Sequence, residues 1–351
     1  MLKFNAVLVA VAAALLSTGA LACTTEDYRG CAGKPWVDGR NMETPLGAKW
    51  WPNPMWGADD EAGSTNWYTK PEVVQRAVAE VKQGKALKLG QTYQVEMPLF
   101  GARVWALRIP GAPTGGPFGP NRVVWYDEML TTEIGQVGTQ FDGLGHIGVA
   151  VGKPGDKDNI RYYNGVTVSE MHDSYGLKKN SVDKLHPIIA RGILIDVAAA
   201  KGVDSLEKGY EITMADVRDA LRKQGMSNFK FMAGDAVLFR TGWPKYWIKD
   251  NATYNSGEPG IGMEVARWLA EEVKVGVWGG DTWATEAVPN PDPACVFCVH
   301  QFMLARHGIV NQENLNLNEL SRLKVYRFMY TYSPVPIKGG TGSPGSPVAT
   351  Y

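Results

Sequence analysis

The feature that most constrains the fold is an alternation of short apolar runs with helical patterns in the second half of the chain. The apolar runs are RGILIDVAA (191–199), GDAVLFRTGW (234–243) and VGVWGGD (275–281). Runs of this length predict buried strands. Between them, Thr213 and Asp216 stand at the spacing of a helical capping box, and 262–273 places apolar residues on one helical face. This alternation predicts an α/β or mixed fold.

The rest of the chain extends the same pattern and contains no internal repeat. A helix is predicted within 69–84, strands flank a proline- and glycine-rich loop within 97–128, and another strand is predicted at 326–333. Residues 23–65 are rich in Gly, Pro, Trp and Asp and are predicted to form an irregular N-terminal arm. Because no linker separates these parts, we expect one domain over residues 23–351.

The charge balance argues against several classes of partner. The chain of 351 residues carries 36 Lys plus Arg and 36 Asp plus Glu, so its formal net charge is zero. There is no basic excess of the kind that binds nucleic acid or an anionic membrane surface. Small or neutral partners are therefore expected.

The first 22 residues have the composition of a secretory signal peptide. Lys3 precedes an apolar run at 6–16, and the residues at 20–22 form an A-x-A cleavage site. We expect cleavage after Ala22, export to the periplasm or the medium, and no stable insertion in a membrane. Cys23 follows directly, which leaves lipidation open as an alternative.

Export permits disulfide bonds, and the mature chain has four cysteines in two close pairs. The pairs are Cys23 with Cys31 and Cys295 with Cys298. Pairing within each is the simplest of three possible connectivities, which the sequence alone leaves open. The Cys-Val-Phe-Cys run lacks the context of a redox or zinc motif, so structural cysteines are the favoured interpretation.

The stretch GQVGTQFDGLGHIG, residues 135–148, carries the strongest chemical signal. Gln136, Gln140 and Asp142 have equal parity, and His146 follows four residues after the aspartate. On an extended strand, side chains of equal parity point the same way, so these three polar groups are predicted to share one face. Without further support, Asp142 beside glycines would simply cap a turn.

The run from Gln136 to His146 resembles the motif H-x-G-T-H-x-D-x-P-x-H of the cyclase family of metal-dependent hydrolases, which includes bacterial kynurenine formamidases and isatin hydrolase. Further resembling segments follow in the same order as in longer family members: WGADDEAGSTNW (56–67), RGILIDVAA, GDAVLFRTGW, GDTWATEAVP (280–289), HGIVNQENLNLNEL (307–320) and GGTGSPGSPVA (339–349). The resemblance implies a mixed β-sheet or barrel-like core surrounded by helices, a folded C-terminal tail, and a homodimer.

The resemblance also implies a set of metal ligands. A first site would use Gln136, Gln140 and Asp142, where the two glutamines replace the usual histidines. A second site would use Asp142, His300 and Glu313.

An amide oxygen is a poor zinc ligand, so we expect the first site to be lost and Gln136, Gln140 and the neighbouring Phe141 to line a substrate pocket. His146 would be the acid/base group, and one divalent ion, zinc or manganese, would occupy the second site.

These residues predict a hydrolase that cleaves a C–N bond in a small amide, cyclic amide or imide, aromatic substrates included, by means of metal-activated water. Plainer interpretations stay open: the glutamines as ordinary strand residues, His300 as part of an apolar helix, and Glu313 as a charge at a helix start. At the level of function, one alternative is an exported binding protein that has lost its metal and its catalysis. Another is a lactone hydrolase, lyase or isomerase on the same scaffold.

Overall fold

The computed structural model describes residues 50–151 and 157–351, and a nine-stranded mixed sheet forms their centre. The strands are β1 (Ala86–Lys88), β2 (Trp105–Arg108), β3 (Gly115–Phe118), β4 (Val123–Trp125), β5 (Met129–Thr132), β6 (Gln140–Asp142), β7 (Val149–Ala150), β8 (Ile160–Arg161), β9 (Ile188–Asp196), β10 (Glu211–Ile212), β11 (Ala236–Arg240), β12 (Gly260–Ile261), β13 (Val277–Gly280), β14 (Val310–Glu313), β15 (Arg327–Tyr332), β16 (Gly342–Pro344) and β17 (Val348–Thr350). The predicted signal peptide, Cys23, Cys31 and the first part of the predicted arm lie outside the described residues.

Helices lie in the connections between the strands from β8 to β15, and one further helix precedes β1. The α-helices are α1 (Pro71–Val78), α2 (Val168–Met171), α3 (Val197–Lys201), α4 (Met214–Lys223), α5 (Asn251–Asn255), α6 (Met263–Arg267), α7 (Cys298–His300) and α8 (Asn318–Leu323). Short 3₁₀ turns cover Gly63–Thr69, Lys157–Asn159, Tyr163–Gly165, Val182–Lys184 and Trp243–Tyr246. Helices α6 and α7 continue as π-helical segments, Trp268–Val273 and Gln301–Arg306.

The sheet has the strand order β1-β17-β15-β9-β11-β13-β14-β6-β16 and curls into a half-barrel. Its four central strands, β9, β11, β13 and β14, are parallel, and helices connect them. Strands β6 and β16 extend one side of this centre in antiparallel fashion. This mixed sheet surrounded by helices confirms the predicted fold class.

Two hydrophobic cores form because alternate side chains of the central strands point to opposite faces of the sheet. In β11, Val237 and Phe239 pack towards α3, α4 and α6. Ala236 and Leu238 pack on the other face, with α1 and α8. Full burial of a valine, leucine or phenylalanine side chain contributes roughly 1.5–3 kcal/mol to the free energy of unfolding. Because both faces are covered, β9, β11 and β13 contain mainly apolar residues and glycine, whereas β14 carries the polar residues Asn311, Gln312 and Glu313.

The two helices predicted in the second half of the chain are confirmed. Helix α4 begins with the predicted capping box, in which the Thr213 hydroxyl accepts from the Asp216 amide and the Asp216 carboxylate accepts from the Thr213 amide. The pattern at 262–273 forms α6 and its π-helical continuation. The C-terminal tail is folded, because β16 pairs with β6 and β17 pairs with β15.

Four two-stranded ladders lie outside the main sheet in the described residues, and two of them are β10 with β12 and β7 with β8. Strand β2 pairs with β5, and β3 pairs with β4, so that residues 105–132 form a separate β-extension. No helix among the described residues has the length and apolar character needed to cross a bilayer.

Candidate functional site

The site begins where β6 and β14 run side by side in antiparallel pairing. In this register Gln140 lies opposite Glu313 and Asp142 lies opposite Asn311. Side chains directly opposite each other on one face are close neighbours. The Gln140 Nε2 amide donates to Glu313 Oε2 at 2.6 Å, and Asn311 Nδ2 donates to Glu313 Oε1 at 2.8 Å and to Asp142 Oδ2 at 3.3 Å. Two buried carboxylates are therefore held together by amide donors.

The third ionisable group, His300, comes from α7. Its Nε2 lies 3.1 Å from Glu313 Oε1 and 3.6 Å from Asp142 Oδ2, so the structure brings together the three predicted ligands. The side chains are almost completely buried, with exposed fractions of 0% for Asp142, 4% for His300 and 2% for Glu313. The sequence interpretations of His300 as helix packing and of Glu313 as a helix charge do not describe these contacts.

Glu286 fixes the orientation of His300 and is absent from the predicted site. Its Oε1 lies 2.5 Å from His300 Nδ1, and its carboxylate also accepts the backbone amides of Val299 and His300. A buried carboxylate on the far nitrogen sets the tautomer of a histidine and raises its basicity. In the sequence, Glu286 follows a predicted strand, where an approach to the pocket and a structural cap are equally good interpretations, and nothing indicates His300 as its partner.

The prediction that Gln136, Gln140 and Asp142 lie on one extended strand is wrong for Gln136. Strand β6 begins only at Gln140, because the chain turns at Gly138, whose φ is +60°. A Cβ at Gly138 would lie 2.6 Å from the ring of Tyr93, so a glycine is required there. The Gln136 amide nevertheless reaches the site from the turn and donates to Asp142 Oδ1 at 3.3 Å.

Phe141 is placed away from the pocket, which corrects its predicted role as a lining residue. Side chains alternate along β6, so Phe141 points to the opposite face from Gln140 and Asp142. It is completely buried and packs against Tyr332, with ring centroids 5.0 Å apart. Phe141 is therefore a core residue.

A cavity of about 190 Å³ opens onto this cluster. It is lined by Phe100, Arg103, Gln136, Gln140, His146, Ile147, Trp283, Ala284, Phe297, His300 and Glu313. Polar groups thus form one part of the wall and aromatic rings form another, as is common in small-molecule sites. The predicted acid/base residue His146 is on this wall, and its Nε2 lies 3.9 Å from Asp142 Oδ1.

Burial and charge pull the pKa values of the cluster in different directions. Burial and the charge of Asp142 raise the pKa of Glu313 to about 8. Burial also raises the pKa of Asp142, but the neighbouring His146 and His300 outweigh it and the pKa lies below its ordinary value. For His300, burial lowers the pKa, but hydrogen bonds to Asp142, Glu286 and Glu313 raise it well above the ordinary value.

His146 behaves differently from His300, because burial is the dominant influence and lowers its pKa. Asp142 opposes this effect, whereas the positive charges of His300 and Arg103 add to it. The imidazole of His146 is therefore neutral near pH 7 and is able to accept a proton at the cavity wall.

The donor set of Asp142, His300 and Glu313 fits one divalent ion. One donor atom from each lies within 4.8 Å of the others, and the three offer one imidazole nitrogen and two carboxylates. The Glu286–His300 contact matches the carboxylate support that metal-bound histidines receive. Gln136 and Gln140 present amide donors to the carboxylates, so they are oriented as hydrogen-bond partners in this arrangement.

The predicted pairing of Cys295 with Cys298 is formed in the structure. These two cysteines and Glu286 also lie within the reach of a common ion. A disulfide leaves no thiolate for coordination, and the Glu286 carboxylate is already held by His300 and two backbone amides. The cysteine pair is therefore a covalent link directly before α7.

Comparisons with known proteins give a consistent result. The family model described as "Putative cyclase" matches residues 87–287, which is more than half of the chain. A solved structure described as a novel cyclase is 28% identical, with a TM-score of 0.70, and the match covers 84% of this chain and 96% of that one.

Two further solved structures share the fold at lower identity. Isatin hydrolase A from Ralstonia solanacearum is 21% identical, with a TM-score of 0.54 and coverage of 80% of this chain and 98% of that one. Isatin hydrolase A from Labrenzia aggregata, bound to benzyl benzoate, is 20% identical, with a TM-score of 0.53 and coverage of 79% and 99%. No significant match is found among curated proteins.

Proposed function

The chain belongs to the cyclase family, and from this premise we propose that it is a metal-dependent hydrolase acting on the C–N bond of a small amide, cyclic amide or imide. The observation that carries the proposal is the convergence of Asp142, His300 and Glu313 beside a cavity that His300, Glu313 and His146 line. The isatin hydrolase structures on this fold support hydrolysis of a small molecule as the reaction class.

Asp142, His300 and Glu313 would hold the ion, for which zinc or manganese suits the mixed nitrogen and oxygen donors. When bound, the ion supplies Lewis acidity that lowers the pKa of water and polarises a carbonyl oxygen. Glu286 keeps Nε2 of His300 directed at the carboxylates because it binds Nδ1.

His146 performs the proton transfers in this proposal. Its neutral imidazole accepts a proton from the attacking water, and Asp142, with Oδ1 3.9 Å from Nε2, stabilises the imidazolium that forms. His146 then returns the proton to the leaving nitrogen as the C–N bond breaks. The hydroxyl of water stays on the carbonyl carbon, so an amide gives a carboxylic acid and an amine, and an imide gives a carboxylic acid and an amide.

A metal-free binding protein is the second candidate, and a specific observation favours it. The amides of Gln136, Gln140 and Asn311 already donate to the Asp142 and Glu313 carboxylates. Such donors stabilise buried carboxylates without an ion. A protein of this kind would bind its ligand stoichiometrically and release it unchanged.

We further propose that the chain is exported and forms a homodimer. The composition of residues 1–22 supports export. The exposed apolar side chains of the β-extension support self-association.

Elemental analysis of the purified protein tests the metal-dependent proposal. We expect about one divalent ion per chain in the wild type, loss of this ion in Asp142→Ala, and retention in Asp219→Ala, which changes a surface aspartate on α4. Absence of an ion from the wild type would contradict the mechanism and favour the binding protein.

Product analysis in ¹⁸O-labelled water then distinguishes the enzymatic alternatives. A hydrolase of an amide or a lactone incorporates the label into the product carboxylate, and the amine product identifies C–N cleavage. A lyase or isomerase leaves the label in the solvent.

A further inference from the structure

Arg103 places a positive charge at the wall of the cavity. The residue is half-buried and lies between Phe100 and the start of β2. Its Nη2 donates to Gln136 Oε1 at 3.4 Å, and its guanidinium carbon lies 5.7 Å from the Phe100 ring centroid. A guanidinium has five N–H donors in a planar fork, and these contacts leave most of that donor capacity unused.

This cation differs from other shielded arginines of the chain. Arg191 is paired with Asp235 at 2.6 Å, and Arg240 is paired with Asp196 at 3.0 Å. Over residues 50–151 and 157–351, no carboxylate forms an ion pair with Arg103.

Aromatic rings flank the guanidinium and limit what fits beside it. Phe100 stacks on Trp283 with ring centroids 4.5 Å apart and planes inclined by 21°. Phe297 contacts Trp283 edge-on, with ring centroids 6.2 Å apart and planes inclined by 61°. A cavity of about 190 Å³ is small for a ligand site and suits a single aromatic ring.

We propose that Arg103 is a specificity-determining residue that binds a carboxylate carried by the aromatic substrate. The ring would lie against Phe100 and Trp283, with its acid group at the guanidinium fork and its amide towards His146. The arginine guanidinium binds a carboxylate through two parallel N–H···O hydrogen bonds. Such charge-assisted bonds are stronger than hydrogen bonds between neutral groups. The inference rests on the proposed function in that it uses the same cavity, and it narrows the substrate class to anionic aromatic amides.

Binding measurements with a matched pair of ligands test this proposal. The probes are benzamide and 3-carbamoylbenzoate, which carry the same amide and differ by one carboxylate. Titration calorimetry would be performed on the protein as purified, the Arg103→Gln and Arg103→Lys variants, and the control Arg108→Gln. Arg108 is an exposed arginine at the end of β2 that is not part of the cavity wall.

We expect the wild type to bind 3-carbamoylbenzoate at least about tenfold more tightly than benzamide. Arg103→Gln should lose this preference, measured as the ratio of the two affinities within the variant. Arg103→Lys should keep part of it, because the charge is retained without the planar fork of N–H donors. Arg108→Gln should match the wild type. Equal affinities in the wild type, or an undiminished preference in Arg103→Gln, would overturn the proposal.

The binding measurement tests Arg103 independently of the proposed hydrolase activity, because binding requires no turnover. If the preference for the carboxylate is found but neither amide is hydrolysed, the role of Arg103 is supported and the hydrolase assignment fails. If neutral amides are hydrolysed without any preference for the anionic ligand, the hydrolase assignment is supported and the role of Arg103 fails.

Discussion

At the scale of single residues, the two glutamines change what the site can do. Gln136 receives a hydrogen bond from Arg103 on its amide oxygen and donates from its amide nitrogen to Asp142. Gln140 donates to Glu313. Both glutamines therefore donate hydrogen bonds at the two positions where the cyclase motif has histidine ligands. The ligand atoms that remain are those of Asp142, His300 and Glu313, and this set suits one ion.

Tyr93 gives a prediction about stability at alkaline pH. Its hydroxyl donates to the Thr139 carbonyl oxygen and accepts from the Gly345 amide at 2.9 Å. Burial raises the pKa of Tyr93 to about 12, although the Gly345 hydrogen bond opposes the shift. Since an unfolded tyrosine titrates near pH 10, the native chain holds a proton that the unfolded chain loses. The resulting stabilisation is complete below about pH 10 and disappears as the pH rises through 12.

We therefore expect the free energy of unfolding of the wild type to fall more steeply between pH 9 and pH 11.5 than that of Tyr93→Phe. One residue accounts for a slope of at most about 1.4 kcal/mol per pH unit. Urea unfolding at several pH values measures this difference. Tyr126→Phe, which changes an exposed tyrosine, is the control and should keep the wild-type slope. Identical slopes in all three proteins would contradict the prediction.

At the scale of elements, the beginning of α7 connects the disulfide to the site. Cys298 starts this helix, and His300 is its third residue. Phe297, between the two bonded cysteines, has a φ of +52° and forms part of the cavity wall. The covalent link therefore fixes a short loop that positions both a cavity ring and a candidate ligand.

Replacing both cysteines, in Cys295→Ala/Cys298→Ala, should loosen this loop. Because the closed loop is short, we expect a loss of only about 2 kcal/mol in the free energy of unfolding. The affinity for zinc, measured by competition with a chelator, should fall because His300 is less well placed. Val296→Ala changes an exposed side chain of the same loop and is the control. Wild-type zinc affinity in the double variant would show that packing alone positions α7.

At the scale of the whole molecule, the sheet and the β-extension differ in how much of their apolar surface is exposed. The central strands are covered on both faces, whereas the β-extension exposes apolar side chains such as Leu107, Phe118 and Met129. Exposed apolar patches of this kind mark surfaces that bind other proteins. The proposed homodimer would use this surface.

Light scattering after size-exclusion chromatography tests this assignment. We expect the chain, which has a mass of 38.4 kDa before removal of the proposed signal peptide, to elute with about twice the mass of one protomer. Phe118→Ser, which removes a side chain that is 70% exposed, should shift the equilibrium towards the monomer. Tyr175→Ser changes a residue that is 98% exposed outside the β-extension and should leave the dimer intact. A monomeric wild type would exclude the proposal.

The sequence by itself determined the features that depend on local chemistry. Periodicity and capping predicted α4, α6 and three of the four central strands, β9, β11 and β13, and the motif around Asp142 indicated the family, since these signals involve residues close together in the chain. Tertiary structure alone decided how distant segments meet. It placed Glu286 against His300, set Arg103 beside Gln136, and turned Phe141 into the core. Such contacts depend on strand register and helix packing, which no short segment encodes.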